Sequence, residues 1–247
     1  MCATQCKMRL DQLLVMKELV ESRHKAQAMI MAGLILIDGR PVTKAGAMVA
    51  IGVPLVIKQT LPFVSRGGQK LEKALDTFNV NITGKICLDV GASTGGFTDC
   101  LLQHGAKKVY ALDVGHGQLD VKLRNDSRVV NIENTNIRYF EKVNLPEIPD
   151  LAVIDVSFIS LDKVLPAVYK LIKIKGEIIA LIKPQFEAGP KRVSKGGVVR
   201  DSAVHEEIID RIKVFSQIQA MEVLGVIESP LTGPAGNKEF LIYLIKS

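Results

Sequence analysis

Two lysines and two carboxylates, Lys70, Asp155, Lys183 and Glu239, fall at element ends of the kind that an open sheet gathers into one cleft. Such a group holds its members charged, or lets one lysine titrate low enough to serve as a base. Each residue alone is an ordinary charge beside a strand end; the chemistry lies in their convergence. Lys183 is the most constrained, since Pro184 restricts the backbone next to it and Gln185-Phe186-Glu187 follow at once.

A second feature is the glycine-rich run Asp89-Val90-Gly91-Ala92-Ser93-Thr94-Gly95-Gly96-Phe97. Glycines there let the backbone turn sharply and approach a ligand beneath a helix N-terminus. Asp113 comes 22 residues after Gly91, at a strand end where a carboxylate can accept hydrogen bonds from a ribose diol. Turn and acid together point to an adenosine-type ligand. The spacing departs from the dinucleotide fingerprint, because Ser93 stands two positions after Gly91, and no Gly-Lys-Ser/Thr follows to make a phosphate loop. S-adenosylmethionine fits better. Asp89, Gly91, Ala92, Ser93, Thr94, Gly95, Gly96 and Phe97, with Asp113 and Val114, are the candidate cofactor residues.

These groups need a scaffold, and the hydrophobic pattern supplies an alternation of strands and helices from residue 68 onward. Strands are predicted at Ile86–Val90, Val109–Val114, Val129–Ile132, Leu151–Val156 and Glu177–Ile182. Helices are predicted at Gly68–Phe78, Thr98–His104, Gln118–Arg124, Leu161–Ile172 and Ser202–Gln219, and the chain closes with strands Glu222–Ile227 and Glu239–Ile245. This is the signature of a doubly wound, Rossmann-like α/β sheet. In an antiparallel last strand, Glu239 opens on the rim where the parallel strands end.

Ahead of that sheet lies a small α+β module. Leu10, Leu13, Leu14, Leu19 and Val20 recur at helical spacing; Ser22 can cap a second helix with Ala26, Met29, Ile30 and Ala32 on its apolar face, ended by Gly33. A strand Leu34–Ile37, the Asp38-Gly39 turn and a strand Leu55–Ile57 follow. The organisation expected is residues 1–58, a linker 59–66 around Leu61-Pro62-Phe63-Val64, and residues 67–247. Coupling between the two modules through that linker would make Phe63→Ala impair the larger module's chemistry more than ligand binding by the small one.

Composition sets outer bounds. The 247 residues carry 32 Lys+Arg against 26 Asp+Glu, a net charge of +6, with 47% hydrophobic content, which excludes a disordered chain. Residues 1–60 hold eight basic and four acidic side chains, so positive charge is concentrated in the small module, as a polyanion partner favours. Cys2, Cys6, Cys87 and Cys100 have no metal-binding or disulfide-framework spacing, and no metal is expected. The charge-free stretches Ala26–Ile37 and Ala45–Ile57 are too short to span a bilayer, and MCATQCKMRL has no signal-peptide core, so a cytoplasmic protein is expected.

Arg9-Leu10-Asp11, Ser22-Arg23 with Ala26, Gly33 and Val42, and the Asp38-Gly39 turn resemble the alpha-L RNA-binding motif. That resemblance implies that Arg9, Arg23 and Lys25 face RNA phosphates. Nearly the whole chain is similar to the hemolysin-A (TlyA) type of ribosomal-RNA methyltransferase, which joins that motif to an FtsJ-like ribose 2′-O-methyltransferase domain. The matching stretches include Val64-Ser65-Arg66-Gly67-Gly68 with Lys70-Leu71, Leu88–Thr98, Asp113–Leu119, Asp155–Leu161, Lys183–Glu187, Gly196–Val199 and Gly236–Phe240. The resemblance implies a Lys-Asp-Lys-Glu tetrad at Lys70, Asp155, Lys183 and Glu239, S-adenosylmethionine as cofactor, and ribosomal RNA or a ribosomal subunit as partner. It adds Arg66 to the RNA contacts, and makes methylation of a ribose 2′-hydroxyl, of a cytidine, the expected reaction. With only Lys246-Ser247 after the last strand, the compact form looks more like the class restricted to large-subunit RNA, so that class is the expectation.

Two rival readings come from other classes. One is an RNA-binding ribosome-assembly factor that uses the cofactor fold only structurally, which the unsubstituted tetrad disfavours. The other is a membrane-lytic protein, as the family's older name suggests, for which no membrane span and no long basic amphipathic stretch speaks.

Overall fold

The computed structural model describes residues 7–20, 22–31, 33–57, 62–189, 192–194, 196–233 and 235–247, without the side chains of Lys25 and Ala28. Cys2, Cys6, Ala32, Leu61 and the Lys25 side chain lie outside the described residues. Backbone contacts divide the chain into two units between Pro62 and Phe63.

In the first unit the elements are β1 (Lys7–Arg9), α1 (Leu10–Met16), α2 (Arg23–Met31), β2 (Ile35–Ile37), β3 (Arg40–Pro41), β4 (Met48–Ala50) and β5 (Leu55–Ile57). Strand β1 pairs antiparallel with β4, and β2 lies between β3 and β5. Leu10, Leu14, Ala26, Ile30 and Ile35 are fully buried and form the core between helices and strands. Asp38 and Gly39 both take positive φ (50° and 75°), the geometry of a two-residue hairpin turn between β2 and β3. One expectation is corrected. The leucine periodicity carried the first helix to Val20, but α1 stops at Met16, Glu18 turns left-handed (φ 56°) and Leu19 is 41% exposed. The β1–β4 pair was not foreseen, because three-residue strands leave almost no periodic signal.

The second unit begins with α3 (Gly67–Phe78), then β6 (Ile86–Val90), α4 (Gly96–Gln103), β7 (Lys108–Leu112), α5 (Val121–Arg124) and β8 (Val129–Ile132). There follow β9 (Leu151–Ile154), α6 (Leu165–Leu171), β10 (Glu177–Ile182), α7 (Pro184–Glu187), α8 (Ser202–Ile218), β11 (Met221–Glu228) and β12 (Phe240–Lys246). They build a seven-stranded sheet in the order β11-β12-β10-β9-β6-β7-β8, with β12 antiparallel to both its neighbours and the rest parallel. Strands β6, β7, β9 and β10 are almost wholly buried, which is why they read as continuous apolar runs. The two faces carry separate cores, one centred on Leu71, Leu101 and Val109, the other on Leu88, Val168 and Ile212.

Order reverses at β6: the chain runs outward through β7 and β8, then returns to place β9 on the other side. Ligands of open α/β sheets bind at such a switch point, beyond the carboxyl ends of the strands. Residues 63–66, read as linker from the sequence, pack onto this second unit: Phe63 is 4% exposed and the Val64 amide donates to Asp99 Oδ2 at 2.8 Å. Cys87 and Cys100 are free and buried, and burial pushes the Cys87 thiol up to about 12, so it is inert. Among the described residues no helix is long and apolar enough to cross a membrane.

Candidate active site

Gly91 and Asp155 follow directly on β6 and β9, the strands that flank the switch point. Gly91 has φ 85°, and a Cβ there would stand 2.5 Å from the Asp155 carbonyl oxygen. The two strand ends therefore meet only because the residue is glycine. Beside them opens a cleft of about 490 Å³, within the range of small-molecule sites. Gly91, Ser93, Asp113, Val114 and Asp155 line it, with Gln118, Asn136, Arg138, Ser157 and Phe158.

Asp113 is held firmly at the cleft wall. Its Oδ2 accepts from the Ser93 amide at 2.8 Å and its Oδ1 from the Gly115 amide at 2.7 Å. Each oxygen keeps a lone pair for a further donor, so the carboxylate remains competent to bind a diol. Ser93 adopts φ 48° and its hydroxyl donates to Gln118 Oε1 at 3.1 Å, tying the glycine-rich turn to the segment after β7.

The other candidate cofactor residues are not brought to the cleft lining. Asp89 is fully buried behind the turn and accepts a 2.6 Å hydrogen bond from Thr98 Oγ1; among the described residues its Oδ1 has no hydrogen-bond partner. Burial pushes its carboxyl up to about 7, and the Thr98 hydrogen bond opposes that only in part. Ala92, Gly95, Gly96 and Phe97 are buried in packing, and Thr94 is exposed outside the lining. Gly96 has its own reason: a Cβ would lie 2.3 Å from Ser65 Oγ and 2.9 Å from the Gly68 amide nitrogen. The N-termini of α3 and α4 thus cross with glycine on both sides, and Phe63 covers Gly68 so closely that a Cβ there would fall 2.3 Å from its ring. This packing sets the start of α3, and with it Lys70.

The four polar residues resolve into two ion pairs. Lys183 Nζ lies 2.5 Å from Asp155 Oδ1, and the same ammonium donates to Ser157 Oγ at 3.0 Å. Among the described residues Asp155 Oδ1 has no partner with hydrogen-bond geometry, so its contact with Lys183 is better described as charge against charge. Lys70 Nζ donates to Glu239 Oε2 at 2.6 Å, with the side chains only 12% and 1% exposed. The register brings the pairs to one rim, since Phe240 of β12 stands opposite Ile182 of β10, which puts Glu239 next to Lys183 along the sheet. Gln185 and Glu239 both approach the bare face of Gly233, with Nε2 and Oε1 at 3.7 and 2.6 Å from its Cβ position. Burial of Glu239 against a lysine of restricted access makes this pair rigid, and a rigid pair can hold a hydroxyl-bearing substrate in one orientation.

Sequence reasoning passed over several lining residues. Ser157 and Gln118 lie inside recognisable motifs but carried no assigned role. Phe158 is 91% exposed, has φ 63° and stands 5.0 Å from the Phe186 ring centroid; a bulky residue in that conformation is uncommon and strained. Arg138 belongs to no motif, and only the fold brings it here.

In the first unit, buried Asp11 organises the predicted RNA contacts. It accepts from Arg9 Nε at 3.0 Å and NH2 at 2.9 Å, from Arg23 Nε at 3.0 Å and from Gln27 Nε2 at 2.9 Å. The Arg9 hydrogen bonds outweigh its burial and hold the Asp11 carboxyl far below the usual carboxylate range. Arg9 and Arg23 side chains remain 40% and 51% exposed, so each is anchored by Asp11 yet accessible. Arg66, exposed, precedes the first turn of α3.

Comparison with known proteins agrees with this division of labour. Residues 63–246 match the FtsJ-like methyltransferase model and residues 8–53 the S4 domain model. A Bacillus subtilis protein, YqxC, provisionally named an rRNA methyltransferase, is 48% identical over 98% of this chain and 86% of its own length. The 16S/23S rRNA (cytidine-2′-O)-methyltransferase TlyA of Mycobacterium tuberculosis is 42% identical over 96% of this chain and 89% of its own. A solved Streptococcus thermophilus structure, provisionally named a hemolysin, superposes with a TM-score of 0.77 at 45% identity, covering 99% of this chain and 90% of that one. A cleft at the switch point of a seven-stranded sheet, two lysine–carboxylate pairs at the rim of that sheet and these matches lead to one conclusion: the chain belongs to the FtsJ-like methyltransferase family and bears an S4 domain at its N-terminal end.

Proposed function

We propose that the protein methylates a ribose 2′-hydroxyl of ribosomal RNA, at a cytidine, using S-adenosylmethionine. The observation that carries this reading is that Asp155 both lines the cleft and holds the Lys183 ammonium at 2.5 Å, joining a cofactor-sized site to a proton-handling group. The residues present fit the cofactor: Gly91 leaves a bare cradle against the Asp155 carbonyl, and Asp113 offers fixed acceptors at the ribose-binding position. Gly91, Ser93, Asp113 and Gln118 would hold it. Bound there, S-adenosylmethionine supplies an activated sulfonium methyl group.

What remains for the protein is to align a hydroxyl and deal with its proton. Alignment can remove about 7–11 kcal/mol of a barrier in favourable cases, and a positioned base adds about 10²–10⁴-fold. In this reading the Lys183 head group, fixed by Asp155 and Ser157, takes the departing proton as an amine or stabilises the 2′-oxygen as an ammonium while the proton passes to water, and the Lys70–Glu239 pair positions the ribose. The S4 domain supplies affinity, with Arg9 and Arg23 presented to phosphates by Asp11 and Lys25 as a further phosphate contact, and Arg66 contacts RNA from the methyltransferase domain. The relatives' names support the RNA class and the 2′-oxygen as target.

Transfer of radiolabelled methyl to separated ribosomal subunits and naked ribosomal RNAs, followed by digestion to nucleosides, tests the proposal. Label on ribose that disappears with Lys183→Ala, while that variant still binds cofactor, is expected. A fully active Lys183→Ala enzyme would sink the assignment, and label on a base would sink the reaction.

A further inference from the structure

Arg138 lines the cofactor cleft on one side and, on the other, opens a groove across the surface between the turn after β8 and helix α6. The groove holds Tyr139, Lys142, Lys163 and Lys170, with Glu141 as its one acidic side chain, so cations outnumber anions four to one. All of these side chains are exposed. Among the described residues no ion pair engages Arg138, Lys142, Lys163 or Lys170, whereas lysines elsewhere on this unit, such as Lys85, Lys108, Lys173 and Lys238, are neutralised by carboxylates. Tyr139 is 76% exposed, and the Arg138 guanidinium stands 5.2 Å from the centre of its ring. Lys246 adds to the field from below: the carbonyls of Tyr169 and Ile172 fix its ammonium, and burial together with the Lys142 charge lowers its pKa.

Unpaired cations along a groove with an exposed aromatic ring are the parts of a single-stranded nucleic-acid track: charges follow the phosphates, and the ring stacks a base. A lipid surface would instead seat several exposed apolar side chains among the cations; here Val143 is exposed beside Lys142, but the apolar groove residues Phe140, Pro166 and Ala167 are only partly exposed and the exposed ring is the amphipathic Tyr139 under a guanidinium. We infer that this groove binds the RNA strand flanking the target nucleotide, with Lys142, Lys163 and Lys170 on phosphates and Tyr139 stacked on a base. The inference rests on the RNA-methylation reading for what lies at the cleft end, and it adds a second RNA surface to that of the S4 domain.

The test uses the full chain and a fluorescein-labelled single-stranded oligoribonucleotide of about twelve mixed nucleotides, in the size range such tracks accept. Binding is followed by anisotropy against salt for wild type, Lys142→Ala/Lys170→Ala, Tyr139→Ala, and the control Lys107→Ala/Lys213→Ala. Two lost phosphate contacts should flatten the log–log salt slope by about 1.4, so wild type loses roughly sevenfold more affinity than the double variant between 50 and 200 mM salt. Tyr139→Ala should weaken binding about tenfold with the slope unchanged. A double variant with the wild-type slope, or a control pair with the same loss, overturns the inference. So does loss of binding to phosphatidylglycerol vesicles while RNA binding is kept. Methyl transfer to ribosomal subunits runs in parallel: wild type that labels no ribose refutes the methylation reading, while the salt slope alone judges the groove.

Discussion

Asp89→Asn isolates the electrostatic cost of building this cofactor turn. Asp89 is fully buried, with one oxygen held by Thr98 at 2.6 Å and the other without a partner among the described residues, and burial raises its carboxyl from 3.8 to about 7. Below the unfolded value both states carry the proton and folding pays nothing for the charge. As pH rises from 3.8 to about 7 the unfolded chain releases its proton first, so the folded state binds more protons and stability falls. The slope is about 1.4 kcal/mol per pH unit within that window, which amounts to about 2 kcal/mol lost between about pH 5.5 and 8.5. Asparagine keeps the shape and the Thr98 hydrogen bond but cannot ionise, so its own cost is the same at every pH. Urea unfolding of wild type and Asp89→Asn across that range should show the variant gaining on wild type by about 2 kcal/mol, with equal m-values. Titrating groups other than Asp155 and Asp113, whose charges also raise the Asp89 carboxyl, cancel in the difference. Parallel pH curves would refute the reasoning and place a compensating donor beside Asp89 Oδ1.

Other perturbations address the remaining parts. Glu239→Ala should cost about 3–5 kcal/mol by leaving the Lys70 ammonium without its partner in a nearly closed site, whereas Lys70→Met/Glu239→Leu should recover most of that in thermal melts and stay inactive. Gly96→Ala forces a Cβ against Ser65 Oγ and the Gly68 amide; it should destabilise by about 1–3 kcal/mol, and lower kcat by moving Lys70, while unchanged kcat would detach Lys70 from this helix crossing. Asp11→Ala raises the positive charge of the S4 domain by one yet should weaken RNA binding in gel-shift titrations, because Arg9 and Arg23 lose the carboxylate that orients them; tighter binding would show that bulk charge governs. Phe158→Ala removes a strained, exposed ring at the cleft mouth and should leave the melting temperature in place while raising KM for RNA.

The sequence by itself determined the strand-and-helix alternation, the glycine-rich turn and the residues at each strand end. Buried parallel strands are long apolar runs bounded by turn residues, a pattern that needs no partner to be visible. Short strands such as β1 and β4, and the early stop of α1 at Met16 ahead of left-handed Glu18, were invisible because two or three residues carry no period and a left-handed turn at glutamate has no signature. What only the tertiary structure decided was pairing. Nothing in the order of residues says that Lys183 takes Asp155 while Lys70 takes Glu239; that follows from the register of β12 on β10 and from the crossing of α3 on α4. Likewise Asp89 and Asp113 are both carboxylates at the ends of neighbouring strands, yet one is sealed beneath the turn and the other held open at the cleft. Side chains alternate across a strand and depth depends on what packs above, so which acid meets a ligand is settled only when the layers close.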